Sequence, residues 1–389
     1  MVAAWRLSLP LFMRPLRGAL RTEMKETQRT LTMQRNGEGE ELGPLHLFYN
    51  DVYEVPLPDT HRFPMAKYQL ARLRVQSRLT SHEATFAVSP LATRADLATT
   101  HCPGYVARFL EGRFTDRENR VVGFPWSEHS VRRTLSSTGG TVAAMHAVCG
   151  SSSGAAAGAA AAAGSGGGAV AAPLFAGQIA GGTHHAFYDR GEGFCVFSDI
   201  AVAANVALRD YPSLIRRVLI VDLDVHQGNG NAALHRGDDR VFTFSMHCRE
   251  NYFSNKEESD VDVELDAGIG DDAYLAELAA WLPRLAERMQ PDLVFFQAGV
   301  DPLHSDRLGR LSLTLEGLRR RNRLVYDWAL RHRTRLVITM GGGYPRDMDP
   351  ASAGFEEVVR AHADVYLDAA DALATVRVAE AAADTNTES

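Results

Sequence analysis

Short apolar runs alternate along this chain with longer stretches in which apolar positions recur every three or four residues. HLFYN (46–50), TFAVS (85–89), RVLIVDLD (217–224), VFTFSMH (241–247), DLVFFQAG (292–299) and RLVITMGGG (335–343) are predicted strands. RFPMAKYQLARLRVQSRL (62–79), DDAYLAELAAWLPRLAERMQ (271–290) and TLEGLRRRNRLVYDWALRHR (314–333) are predicted helices, the second with Leu275, Leu278, Leu282 and Leu285 at helical spacing. This alternation predicts an α/β fold, a single domain on a mostly parallel β-sheet flanked by helices. In such sheets ligands bind beyond the carboxyl ends of the strands.

Chemically able residues do cluster just after the apolar runs. Asp222, Asp224 and His226 follow VLIV, Asp301 follows LVFFQAGV, and Tyr344 follows the three glycines after LVITM. If the first run stays extended, residues two apart share a side, so Asp222, Asp224 and His226 converge. Asp224, His226 and Asp301 form a donor set suited to a catalytic zinc with an open position for water. A hydrogen-bond network at a strand end is the alternative for that motif alone. The segment GGTHHAFYDRGEGFC (181–195) adds His184 and His185 beside glycines, where a turned loop brings both into a pocket and one could move protons. Tyr344 offers a hydroxyl to a developing oxyanion, or packs as a lid. Asn229 in HQGNG orients a histidine or holds the turn.

Composition changes the picture at a few places. A chain of 389 residues, 45% of them hydrophobic, can bury a large core. Its net charge of -7 argues against a nucleic-acid footprint, so no direct nucleic-acid binding is expected. Cys102, Cys149, Cys195 and Cys248 are widely spaced, which indicates neither a disulfide framework nor a cysteine metal site and fits a reducing compartment. No membrane-spanning run is evident. Residues 1–44 form a basic leader and linker, with four arginines and no acid before Glu23, a composition that suits a transit peptide or a disordered arm. A mitochondrial or plastid address follows from the first reading, and nucleus or cytoplasm from the second. The catalytic domain is expected over 45–375, interrupted by a flexible Gly/Ala-rich insertion at 149–173, with a disordered tail at 376–389.

Taken together and in this order, GGTHHAF…GEGFCVFSDIAVAA, VLIVDLDVHQGNG, FFQAGVDPL…DRLGRLSLT and MGGGY resemble the zinc-dependent histone deacetylases of the arginase/deacetylase superfamily. The resemblance spans roughly 181–344 and continues more weakly back to Leu45. HQGNG and DRLGRLSLT are most similar to class IV deacetylases and related bacterial proteins. It implies one zinc ion held by Asp224, His226 and Asp301, His185 as general base and acid, His184 as its electrostatic partner, and Tyr344 as donor to the substrate carbonyl. Asp222 falls beside His184 and, with Ser245, at a monovalent-cation site that would hold potassium. Gly193 and Phe194 match the wall of an acyl-lysine tunnel. Asn229 stands where class I enzymes carry an aspartate, so a protonated His185 should be stabilised less.

The activity so implied is removal of acetyl or another acyl group from lysine in histones or other proteins, with a role in chromatin and epigenetic regulation. An acetylpolyamine or other small-amide deacetylase shares that site. An arginase-type dimanganese centre would need further ligands, and Gln227 occupies a candidate position. A catalytically silent corepressor or scaffold should have lost a ligand, a histidine or the tyrosine, and all are present. Two departures stand out: Ser305 replaces the glycine usual before the aspartate of DRLG, and the Gly/Ala insertion ends shortly before the histidine pair. Oligomeric state and complex partners are not legible.

Overall fold

The computed structural model describes residues 43–58, 61–150, 173–251 and 255–385. The leader up to residue 42 and the Gly/Ala-rich stretch 151–172 lie outside the described residues. Eight strands build one sheet: β1 (Leu45–Tyr49), β2 (Ala84–Val88), β3 (Phe175–Ile179), β4 (Val218–Asp222), β5 (Val241–Cys248), β6 (Val261–Leu265), β7 (Leu293–Gln297) and β8 (Arg335–Thr339). They lie in the order β2-β1-β3-β8-β7-β4-β5-β6, and every pairing is parallel.

The longer helices are α1 (Ala66–Gln76), α2 (Glu128–Val148), α3 (Asp199–Asp210), α4 (Asp271–Met289), α5 (Leu315–Arg331) and α6 (Ala353–Thr385). They cover both faces of the sheet. Leu219 and Val221 of β4 join a hydrophobic cluster with Leu278 and Leu282 of α4 and Val325 and Tyr326 of α5. Val218 and Ile220 join a second cluster with Val142 and Met145 of α2 and Val202 and Val206 of α3. Burial on both faces is why the central strands read as continuous apolar runs rather than alternating ones. Among the described residues no helix is long and apolar enough to cross a membrane.

The strands differ from the expected set in two places. FAGQI of β3 is buried throughout, yet Gly177 and Gln178 break its apolar run. VDVEL of β6 lies at the sheet edge with Val261, Asp262 and Val263 half-buried and Glu264 exposed, and it is too polar to stand out as a buried strand. The carboxyl end differs too. Helix α6 continues to Thr385, so residues 376–385 are helical where a disordered tail is expected. Val376 packs against the core, and Arg377 Nη2 donates to the Gly43 carbonyl at 2.6 Å. Residues 386–389 lie outside the described set.

Candidate active site

The four neighbouring central strands β3, β8, β7 and β4 are parallel, so their following loops all lie at the carboxyl-terminal end of the sheet. Two of those loops cross with no room for side chains: a Cβ on Gly182 would lie 2.7 Å from the Gly341 Cα. After Asp222 the chain bends instead of continuing as a strand. The convergence therefore does not come from strand alternation. Asp224 turns back to accept the His226 amide at 3.0 Å, and Asp301 accepts the Val225 amide at 2.9 Å. From below, the buried Arg321 guanidinium donates to the Gly299 carbonyl at 2.5 Å and the Ala298 carbonyl at 3.2 Å, bracing the segment that leads to Asp301.

These bonds place His226 Nδ1 3.0 Å from Asp224 Oδ1 and 3.0 Å from Asp301 Oδ2. The ligand atoms of Asp224, His226 and Asp301 all lie within 4.8 Å of one another, and all three residues are buried. Burial, and then the neighbouring Asp224 charge, push the Asp301 carboxyl up to about 7. Two carboxylates this close both ionise readily only beside a cation. The ligand pocket is also shaped by a missing side chain, since a Cβ on Gly342 would lie 2.2 Å from Asp301 Oδ2 and 2.8 Å from Asp224 Oδ2. Donor chemistry and geometry thus fit a divalent ion, and two oxygens with one imidazole nitrogen suit zinc.

The histidine pair stands next to this cluster, on the loop after β3. His184 Nδ1 lies 2.7 Å from Asp222 Oδ2, and His185 Nδ1 lies 2.7 Å from Asn229 Oδ1. The two rings are 4.0 Å apart, centre to centre, and their environments push them in opposite directions. Burial opposes a charge on His184, but Asp222 and Asp224 outweigh it and lift the ring to about 9. Burial, followed by the charges of His184 and His226, holds His185 well below the usual histidine range. These surroundings favour the charged form of the His184 ring and the neutral form of the His185 ring.

A narrow pocket connects the cluster to the surface, lined by Phe63, Lys67, His184, His185, Phe194 and Tyr344 among others. Gly193 and Phe194 both take left-handed backbone, at φ of +57° and +66°. That is strained for a phenylalanine, and it turns the ring towards Phe63, Phe124 and Tyr344, 5.0, 5.4 and 6.0 Å away. Asp306 holds the start of Tyr344 by accepting its amide at 2.6 Å. The turn beyond Asp301 is closed by the Leu308 and Gly309 amides on the other Asp306 oxygen, with Ser305 donating to Glu357 at 2.5 Å.

Ser245 is the register partner of Asp222 on β5, and its hydroxyl lies 2.9 Å from His247 Nδ1. Gln227 turns away from the centre to bond the Glu257 carbonyl and Asp262, so it adds no ligand for a second metal. Three residues at the site escape sequence reasoning. Lys67 is fully buried, donates to the Gly343 carbonyl at 3.0 Å and sits over the Phe63, Tyr68 and Tyr344 rings; burial lowers it to about 8. A charge four residues from Ala71 on the buried side of α1 was the available clue. Asp306 carries a weaker clue, its place after a strand-end loop. Glu192, which accepts from Asn229 Nδ2 at 3.0 Å, has none.

Three buried residues that could hold a metal ion stand beside an oppositely tuned histidine pair at the strand ends of a single parallel sheet, which defines a parallel α/β protein with a candidate metal site. The chain belongs to the histone deacetylase family: the model of the histone deacetylase domain matches residues 61–362. It is 39% identical over 319 residues to an uncharacterized protein of Picosynechococcus sp., covering 82% of this chain and 98% of that one. It is 36% identical over 170 residues to histone deacetylase 2 of Arabidopsis thaliana, covering 43% of each chain. A histone deacetylase-like amidohydrolase of Pseudomonas aeruginosa is 34% identical over 173 residues, covering 41% of this chain and 45% of that one. The alignments with these two named relatives thus span less than half of their length. The crystal structure of an HDAC homolog from Aquifex aeolicus shares the fold, with a TM-score of 0.64 at 19% identity over 84% of both chains. The family assignment makes this protein a hydrolase acting on acetylated amides.

Proposed function

We propose that the protein is a zinc-dependent deacylase that hydrolyses the amide of N-acetyl-lysine, or of lysine carrying another acyl group, in histones or other proteins. The observation that carries this reading is that Asp224 and His226 of the Asp224–His226–Asp301 cluster line one pocket together with His185 and Tyr344. Zinc bound there would polarise the amide carbonyl and make water acidic enough to ionise near neutral pH.

The chain's own groups do the rest. His185, being neutral, accepts the proton of the attacking water and passes it to the amine nitrogen as the carbon–nitrogen bond breaks. His184, held cationic by Asp222, adds positive potential where negative charge develops. The Tyr344 hydroxyl donates to the carbonyl oxygen as it becomes an oxyanion. Phe63 and Phe194 form a slot for an alkyl chain and exclude water from it. Acetate and a free amine leave. Asp222 and Ser245, paired across β4 and β5, are where we place a potassium ion.

The test is acyl release by zinc-loaded protein from acetyl-lysine peptides, longer acyl-lysine peptides and an acetylpolyamine, each with a chelated control. Chelator-sensitive release from peptides supports the reading. Preference for the polyamine would move the substrate to small amides, and zinc binding without release from any substrate would favour a scaffold.

A further inference from the structure

Behind the histidine pair the polar chain runs one residue further than the proposed reaction uses. His185 Nδ1 meets Asn229 Oδ1 at 2.7 Å, and Asn229 Nδ2 donates to Glu192 Oε1 at 3.0 Å. The same Asn229 oxygen accepts the Gly230 amide at 2.9 Å. His185 and Glu192 are 5% and 8% exposed, and Asn229 is fully buried. A buried carboxylate is costly unless it is hydrogen-bonded, and Asn229 Nδ2 supplies such a bond.

Each contact has one chemically allowed direction. An ionised carboxylate only accepts, so the amide nitrogen of Asn229 faces Glu192. A backbone N–H only donates, so the amide oxygen faces Gly230 and, with it, His185. That oxygen cannot donate, so His185 carries its proton on Nδ1, which makes Nε2 the basic nitrogen of the ring. The tautomer is thus set by the hydrogen-bond network.

Resting on the reading of His185 as general base, we propose that Glu192 is the positioning residue for that base. Its carboxylate orients and polarises Asn229, so that a neutral amide does part of what a carboxylate would do directly beside the ring. Glu192 adjoins Gly193 and Phe194, whose amides are pinned to the Val121 and Val122 carbonyls at 3.3 and 2.7 Å. One turn therefore shapes the pocket wall and sets the base.

The test uses Glu192→Gln, which keeps the shape and removes the charge, in the native protein and in an Asn229→Asp background. In the native background kcat should fall roughly tenfold with KM nearly unchanged. With Asn229→Asp the sign should invert, because Glu192 then faces a second carboxylate and the glutamine relieves that repulsion by donating to it. Loss of the same size and direction in both backgrounds, or no loss in the native one, would mark Glu192 as packing and overturn the proposal.

A second readout does not depend on turnover. Nitrogen-15 shifts of labelled His185 should show an Nδ1 proton in the native protein and a displaced Nδ1 resonance in Glu192→Gln; identical shifts overturn the inference. Where the glutamine variant does not fold, Glu192→Asp draws the charge back from Asn229, and the fall in kcat and the displaced Nδ1 resonance are read in the native background alone; no change in either overturns the proposal. If the native protein releases no acyl group at all, the deacylase reading fails while the shifts still decide the role of Glu192.

Discussion

Asp306 accepts the Tyr344 backbone amide on one carboxylate oxygen at 2.6 Å, across 38 residues of sequence. Its other oxygen accepts the Leu308 and Gly309 amides at 2.7 and 2.9 Å. Both ends of the side chain must therefore accept, which a carboxylate does and a carboxamide does not. Asp306→Asn is expected to lower kcat about tenfold or more by displacing Tyr344, with zinc content near native. Native turnover in a folded variant would show that Tyr344 is held from elsewhere.

Tyr344 itself should act in turnover and not in metal binding. Removing one oxyanion donor costs on the order of 10²–10³ in kcat. Tyr344→Phe should show a loss of that size while zinc per chain, measured by elemental analysis, stays unchanged. Equal activity would remove the hydroxyl from the mechanism.

Gly342 offers a test of the ligand cluster that leaves every ligand in place. A methyl there would collide with Asp301 Oδ2 and crowd Asp224 Oδ2. Gly342→Ala should weaken zinc binding by roughly 10–100-fold, as disturbed ligand support commonly does, read by competition with a chromophoric chelator. The melting temperature reports separately whether the fold survives. Native zinc affinity would mean that the carboxylates move aside without cost.

Acid should destabilise the fold through histidines remote from the cluster. Burial holds His101 and His235 down at about 4, against about 6.5 in an unfolded chain. Between those values the unfolded state binds more protons, so stability is full above about 6.5 and falls as pH drops towards 4. Each residue contributes up to about 3 kcal/mol to that fall. Urea midpoints should decline across this window, and His235→Leu should flatten the decline. Among the described residues His235 Nε2 has no hydrogen-bond partner, so the apolar replacement breaks no such bond at that atom. An equally steep decline in the variant would assign the acid sensitivity elsewhere.

The sequence by itself determined the α/β class, six of the eight strands and three of the longer helices. A buried parallel sheet demands apolar runs, and amphipathic helices demand a period, so both leave marks along the chain. It also marked Asp224, His226, Asp301 and Tyr344 by their places after apolar runs, and His184 and His185 as a pair beside glycines, because both signals are local in sequence. Tertiary structure alone decided how they meet. Asp224 and His226 converge through a bend closed by Asp301, 75 residues beyond His226, and not through strand alternation. The resemblance already implied a carboxylate beside His184 and an amide beside His185, while the burial that opposes charge on both rings is seen only in space. Glu192, Lys67 and Asp306 act through hydrogen bonds that include partners 37, 276 and 38 positions away. Such a bond imposes no period and no composition on the segment that makes it, so only the folded chain reveals it.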